Sequence, residues 1–215
     1  MITITVIKDF KRWTMAITRN DERWFEYYCS ASQAEKDLFE KVSEFGKYFE
    51  DMLLLDNLNN EVDSLVLPEE LEYFDYTWFM YKVEDMDEGV YGCYSHKDQV
   101  LKISSTIEDY IYEPAILHEM IHLHEDVINE YPLYYHDILY WKLYSSLRDR
   151  IEKLDEYIRD CLSLYESREM YNENGLHDIL FLLKSFDLDL RMGYEIGTVF
   201  MYGKREEIRE LNLQG

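Results

Sequence analysis

The sequence has few cysteines, and their arrangement excludes two classes of small protein. Cys29, Cys93 and Cys161 are odd in number and widely separated, and no Cys-x-x-Cys pair occurs. This pattern argues against a zinc ribbon and against a disulfide framework. We therefore expect reduced and mostly buried thiols, as in a cytoplasmic protein.

A long apolar run is also missing. No stretch of about 18 consecutive apolar residues occurs, so the sequence predicts no membrane span. The first residues, Met1–Lys8, alternate apolar and threonine side chains and lack the apolar block of a signal peptide. Both features favour a cytoplasmic location.

Basic residues are scarce relative to acidic ones. The chain carries 22 Lys and Arg against 45 Asp and Glu, a formal net charge of −23. Proteins that bind duplexes gain affinity by neutralising phosphates with basic side chains, so we expect no direct binding to nucleic acid. The simplest interpretation is an acidic surface that keeps the protein soluble, and the alternative is a surface that binds a basic protein partner or mimics nucleic acid.

What the sequence does contain is enough apolar material for a packed protein. Hydrophobic residues make up 47% of the 215 residues, and helical and strand patterns alternate along the chain. A helix capped by Ser30 or Ser32 is predicted first. Short strands follow at residues 76–83, 90–94 and 100–104, then helices at 108–130, 136–166 and 176–190.

The helix over residues 108–130 carries the most informative motif. It reads His118-Glu119-Met120-Ile121-His122, the H-E-x-x-H pattern of zinc metallopeptidases. Residues four apart on a helix lie one turn above each other, so both imidazoles can face one metal ion. Glu119 is then placed to accept a proton from an activated water molecule, which makes it the candidate catalytic base.

A catalytic zinc site needs a third protein ligand. The best candidate is His136, in Tyr134-Tyr-His-Asp-Ile-Leu-Tyr-Trp141. Thirteen residues separate it from His122, which allows the first helix to end near Pro132 and the next to return antiparallel. The predicted zinc ligands are therefore His118, His122 and His136.

This combination resembles the SprT-like zinc metallopeptidases and the related WLM group. The paired histidines, His136 at the start of the next helix and the strands around Gly89–Ser104 carry the resemblance, which spans about a quarter of the chain. It implies an α+β fold with a zincin-like core, in which a small antiparallel sheet packs on the active-site helix. Residues 1–88 would form an N-terminal α+β region, residues 89–147 this core, and residues 148–215 a helical C-terminal region.

A weaker resemblance leads to another third ligand. The ImmA/IrrE-like peptidases also place a short strand pair before a His-Glu-x-x-His helix, and their third ligand is an acidic residue further along. In this chain Glu166 or Glu169 could fill that position. Histidines 96 and 177 receive no predicted role, and no tyrosine can be singled out to stabilise an oxyanion.

The expected function is therefore hydrolysis of peptide bonds in a protein substrate, with zinc as the cofactor and Glu119 as the general base. A basic substrate would suit the acidic surface. The rival prediction is a non-catalytic acidic protein that sequesters a basic partner, either as a scaffold stapled by zinc or as a nucleic-acid mimic.

Overall fold

The fold is that of an α+β protein built around one buried helix. The computed structural model of the chain describes residues 28–53, 79–128, 134–167 and 177–202. Much of the predicted N-terminal region, residues 1–27 and 54–78, lies outside these residues. The elements in chain order are α1 (Gln33–Leu53), β1 (Met80–Glu84), β2 (Gly92–Ser95), β3 (Val100–Ser104), α2 (Asp109–Ile128), α3 (Tyr134–Arg148), α4 (Leu154–Ser167) and α5 (Ile179–Met192).

The first helix, α1, begins with a capping box. The main-chain N–H of Ser32 donates to the Glu35 carboxylate at 2.7 Å, and the N–H of Glu35 donates back to Ser32 Oγ at 3.3 Å. This reciprocal pair satisfies N–H groups that have no partner inside the helix. It confirms Ser32, one of the two predicted caps.

The sheet has three strands in the order β1-β3-β2. β2 and β3 form the predicted antiparallel hairpin, but β1 pairs with β3 in parallel. The sheet is therefore mixed, and the prediction of a purely antiparallel sheet was wrong. β3 lies between β2 and β1, and β1 runs in the same direction as β3.

Helix α2 lies at the centre of the molecule. It contacts β2 and β3 on one side and α1 and α5 on the others. Most side chains from Ala115 to His124 are buried, including His118 and Glu119. Pro114 lies in the second turn of this helix, which begins at Asp109, close to the predicted start at residue 108.

The predicted long helix after α2 is two helices. α3 ends at Arg148 and α4 begins at Leu154, and Lys153 adopts a positive φ of 63° between them. Ile151 and Leu154 remain buried across this break. The apolar spacing therefore continues through the bend, so periodicity alone does not show that the helix is interrupted.

Helix α5 completes the core and has clear caps at both ends. Asp178 accepts the N–H of Phe181 at the start, and Gly193 ends the helix in the left-handed conformation. Residues 193–202 then fold back along α2, and we call them the return segment. Within the described residues, no helix has both the length and the apolar character needed to cross a bilayer.

Candidate metal centre

The two histidines of the H-E-x-x-H motif lie side by side on α2. Their ring centroids are 5.2 Å apart, as expected for residues one helical turn apart. His118 is almost completely buried, and the side chain of His122 is 12% exposed. The pair therefore faces the interior rather than solvent.

The third histidine against this pair is His177. Its Nε2 lies 2.9 Å from Nε2 of His118, and its ring centroid is 4.8 Å from that of His122. Because Asp178 caps α5, the backbone that carries His177 is fixed where the helix begins. One nitrogen from each of the three rings lies within 4.8 Å of the others, which makes this a possible metal-binding group.

The structure does not bring His136 into the three-histidine group. His136 is partly exposed in the first turn of α3. His177 therefore occupies the position beside His118 and His122 that was expected for His136. Glu166 belongs to the last turn of α4, but its side chain lies outside the described residues, as does all of Glu169.

The main chain orients His118. Its Nδ1 lies 3.1 Å from the carbonyl oxygen of Val199 in the return segment. A carbonyl oxygen only accepts, so Nδ1 carries the proton, and Nε2 of the neutral ring presents its lone pair towards Nε2 of His177. A hydrogen bond of this kind is typical of metal-binding histidines, because it fixes both the tautomer and the ring plane.

Burial keeps all three imidazoles neutral. Burial, with smaller contributions from the neighbouring histidines, holds the pKa of His118 well below its usual value. Burial likewise lowers the pKa of His122 to about 3 and that of His177 to about 4. Neutral imidazole is the form that binds metal, so no protons need to be removed from these rings at neutral pH.

The carboxyl group of Glu119 lies against the sheet edge next to the histidines. Tyr202 Oη donates to its Oε1 at 3.1 Å, and the main-chain N–H of Tyr94 is a second donor. A Cβ at Gly92 would lie 2.7 Å from Glu119 Cγ, so only glycine permits this close approach. Burial raises the pKa of Glu119 to about 8, and the two hydrogen bonds oppose that rise.

The chain matches no protein-family model, no curated protein and no solved structure. The resemblances to SprT-like and to ImmA/IrrE-like peptidases therefore remain predictions from short motifs.

A buried ion pair lies beside His122. Lys184 on α5 is fully buried, and its Nζ lies 3.2 Å from Oε1 of Glu125 on α2. The other carboxylate oxygen of Glu125 lies 3.9 Å from His122 Nδ1, which is too far for a hydrogen bond. Among the described residues, this Nδ1 is one of few buried side-chain atoms without a hydrogen-bond partner.

Aromatic rings enclose the histidines. The Phe181 ring lies 4.5 to 4.8 Å from all three imidazole centroids, and the Tyr202 ring stacks on His118 at 4.1 Å. Rings at these distances exclude water from the faces they cover. Any ligand must therefore approach the imidazole nitrogens from a side that Phe181 and Tyr202 leave uncovered.

Several neighbours of the motif have structural roles. Asp126 accepts from Tyr94 Oη at 2.6 Å and contacts His96. His124 is completely buried and packs 5.3 Å from the Phe49 ring. Glu125 is therefore the carboxylate closer to the candidate metal centre.

Sequence reasoning missed His177, Tyr202 and Lys184. The sequence assigns His177 no role because it lies in a predicted loop. Tyr140, one of the tyrosines nearest to the motif in sequence, packs on Trp141 and Tyr144. Tyr202, far along the chain, is the tyrosine that contacts both His118 and Glu119.

Proposed function

We propose that the protein is a zinc-dependent peptidase whose metal ligands are His118, His122 and His177. The observation that carries the proposal is the convergence of three neutral imidazoles that are buried or partly buried, with the buried Glu119 linked to His118 through Tyr202. Three histidines with an open fourth position are a ligand set found in catalytic zinc sites. The resemblance to SprT-like peptidases adds support through His118-Glu119-Met-Ile-His122, and not through His136.

The residues fit a zinc ion in two further respects. Bonds of about 2.0–2.1 Å to tetrahedral zinc place ligand nitrogens roughly 3.3 Å apart. His118 Nε2 and His177 Nε2 are 2.9 Å apart, so a small outward movement would accommodate the ion. The Val199 carbonyl supplies the partner that a zinc-binding imidazole ordinarily has on its other nitrogen.

Glu119 supplies the acid–base chemistry in this proposal. Zinc, when bound, acts as a Lewis acid and activates water for attack on a carbonyl group. Glu119 accepts the proton of the attacking water and returns it to the leaving amine. Tyr202 holds the carboxyl group in place through its 3.1 Å hydrogen bond.

The substrate proposed is a basic protein or a basic segment of a protein. The net charge of −23 attracts such substrates over distances comparable to the Debye length. We also propose a cytoplasmic location, because Cys29, Cys93 and Cys161 are all free thiols, although only Cys161 is buried as expected and the other two are exposed.

Metal content tests the ligand set. We expect about one zinc per chain in freshly purified protein, lost in His177→Ala and retained in His136→Ala. The second variant is the matched control, because it removes an imidazole from the neighbouring helix without touching the cluster. Metal-free wild type that takes up no added zinc would refute the site. Zinc lost only in His136→Ala would move the third ligand back to α3.

Hydrolysis tests the enzyme. Zinc-loaded wild type should cleave histones faster than the acidic protein casein, and Glu119→Gln should bind zinc normally but lose cleavage by at least about 100-fold. If wild type and Glu119→Gln both bind zinc and neither cleaves a substrate, the zinc has a structural role. The alternative of an acidic binding protein that sequesters a basic partner would then gain support.

A further inference from the structure

The return segment supplies two of the groups that contact the candidate metal centre. Val199 accepts from Nδ1 of His118, and Tyr202 donates to Glu119 while its ring covers His118. Neither residue belongs to a helix or strand, so local secondary structure does not fix their positions. Some other interaction must hold this segment in register with α2.

That interaction comes from Asp189 on α5. Its Oδ2 accepts the N–H of Gly197 at 2.7 Å, and its Oδ1 accepts the N–H of Val199 at 2.9 Å. The main-chain carbonyl of Asp189 also accepts the N–H of Tyr194 at 2.8 Å. One buried residue therefore binds the return segment at three points.

The hydrogen bond to Val199 has a direct consequence for the site. The N–H of Val199 is held by Asp189, and the C=O of the same residue accepts from His118. Gly197 adopts a φ of 91°, a left-handed conformation that suits glycine and turns the chain so that both oxygens of Asp189 can be reached. The orientation of Val199, and through it that of His118, therefore depends on the Asp189 carboxyl group.

We propose that Asp189 is a positioning residue for the candidate metal centre. It holds the turn over residues 197–199 so that the Val199 carbonyl fixes the His118 tautomer and leaves Nε2 available for metal. This inference rests on the proposed function, in which His118 is a metal ligand. It adds a residue that lies on another helix and touches neither the metal nor the substrate.

Asp187 provides a matched control. It lies two residues earlier on α5 and is also buried, but its carboxylate pairs with Arg191 and Arg150 rather than with the return segment. Asp187→Asn and Asp189→Asn both replace a buried carboxyl group of the same helix by an amide. A purely structural role for Asp189 would make the two substitutions alike at the metal centre.

The first measurement is the tautomer of His118 in metal-free protein, read from long-range ¹H–¹⁵N NMR. The His118 signals are assigned by their loss in His118→Gln. Wild type and Asp187→Asn should show the Nδ1–H form, and Asp189→Asn should show a mixture of tautomers. This readout does not depend on metal binding or on activity.

The second measurement is the affinity for zinc and for Co²⁺, determined by competition with a chelator. Loss of a group that orients a metal ligand costs about 10- to 100-fold in affinity, so we expect that loss in Asp189→Asn and less than about 3-fold in Asp187→Asn. If Asp189→Asn does not fold, Gly197→Ala tests the same turn. Strain at its positive φ should then produce the same mixed tautomer and weaker binding.

The outcomes separate the inference from the proposed function. An unchanged tautomer with unchanged affinity in Asp189→Asn overturns the positioning role while leaving the metal site intact. Equal losses in Asp187→Asn and Asp189→Asn also overturn it, since general destabilisation would then explain both. If wild type binds neither ion, the proposed function fails, and Asp189 cannot be a positioning residue for a metal.

Discussion

Replacement of Glu119 by glutamine should change how stability depends on pH in metal-free protein. Burial raises the pKa of Glu119 from its ordinary value of 4.5 to about 8. Between these two values the unfolded chain releases the proton while the folded chain retains it. The stability that the neutral carboxyl group provides is therefore complete below pH 4.5 and is lost as pH rises towards 8.

The size of the effect follows from that difference. Each tenfold change in the ionisation equilibrium corresponds to about 1.4 kcal/mol, so the whole interval is worth about 5 kcal/mol. Between pH 5 and pH 7 the loss is about 3 kcal/mol. Glutamine has nearly the same shape and no ionisation, so Glu119→Gln lacks this contribution to the pH dependence.

The assay is urea unfolding in the presence of a chelator at pH 5, 6, 7 and 8. We expect the variant to gain about 3 kcal/mol relative to wild type from pH 5 to pH 7. Glu113→Gln on the same helix is the control, because Lys41 and Tyr194 hold the pKa of Glu113 below its usual value. Its carboxylate is ionised in both states above pH 5, so its difference from wild type should stay constant.

A constant difference between Glu119→Gln and wild type across this range would refute the reasoning. It would mean that Glu119 is already ionised in the folded chain or is reached by water. Bound zinc should reduce the pH dependence of the unfolding free energy in wild type, because a nearby cation favours the ionised form of Glu119. The metal-free measurement is therefore the one that isolates burial.

Two further predictions concern the packing around the site. Gly92→Ala should cost about 1–3 kcal/mol of unfolding free energy and abolish the pH slope, because its Cβ forces Glu119 to move. In Gly89→Ala the added Cβ meets nothing within 4 Å, so this variant should show backbone strain alone and keep the pH dependence of stability. The same pH dependence in both glycine variants would contradict this. Lys184→Met should cost about 3–5 kcal/mol because it leaves the Glu125 carboxylate buried without its partner. Adding Glu125→Gln should recover much of that loss in thermal unfolding, and no recovery would show that the pair is not coupled.

The parts of the fold that follow from local chemistry were predictable. The Ser32 cap, the apolar stripe of α1 and the β2–β3 hairpin depend on residues close in sequence, and the structure confirms them. The parallel pairing of β1 with β3 does not depend on neighbours in this way. Nothing in the alternation of a short strand reveals which edge of a hairpin it will join.

The candidate site likewise has one part that follows from spacing along a helix and another that depends on which helices pack together. Spacing along one helix brings His118 and His122 together, so the motif predicts the pair without knowledge of the fold. The third imidazole depends on which helix packs against α2, and the structure shows that this is α5 rather than the first turn of α3. His136 followed from the assumption that the next helix in sequence is the next in space.

The buried charges offered a better guide to the packing partner. Helix α5 is apolar over much of its length, yet it contains Lys184 and Asp189 within its buried stretch. A charge in such a helix is stable only when an opposite charge or hydrogen-bond donors lie opposite it. On α2 the motif is followed by Glu125, one turn past His122. The carboxylate of Glu125 and the ammonium of Lys184 each need a partner of opposite charge, and contact between α2 and α5 supplies it. Once α5 is placed against α2 in this way, His177, the residue before its N-cap, reaches the paired imidazoles, and His136 is no longer needed.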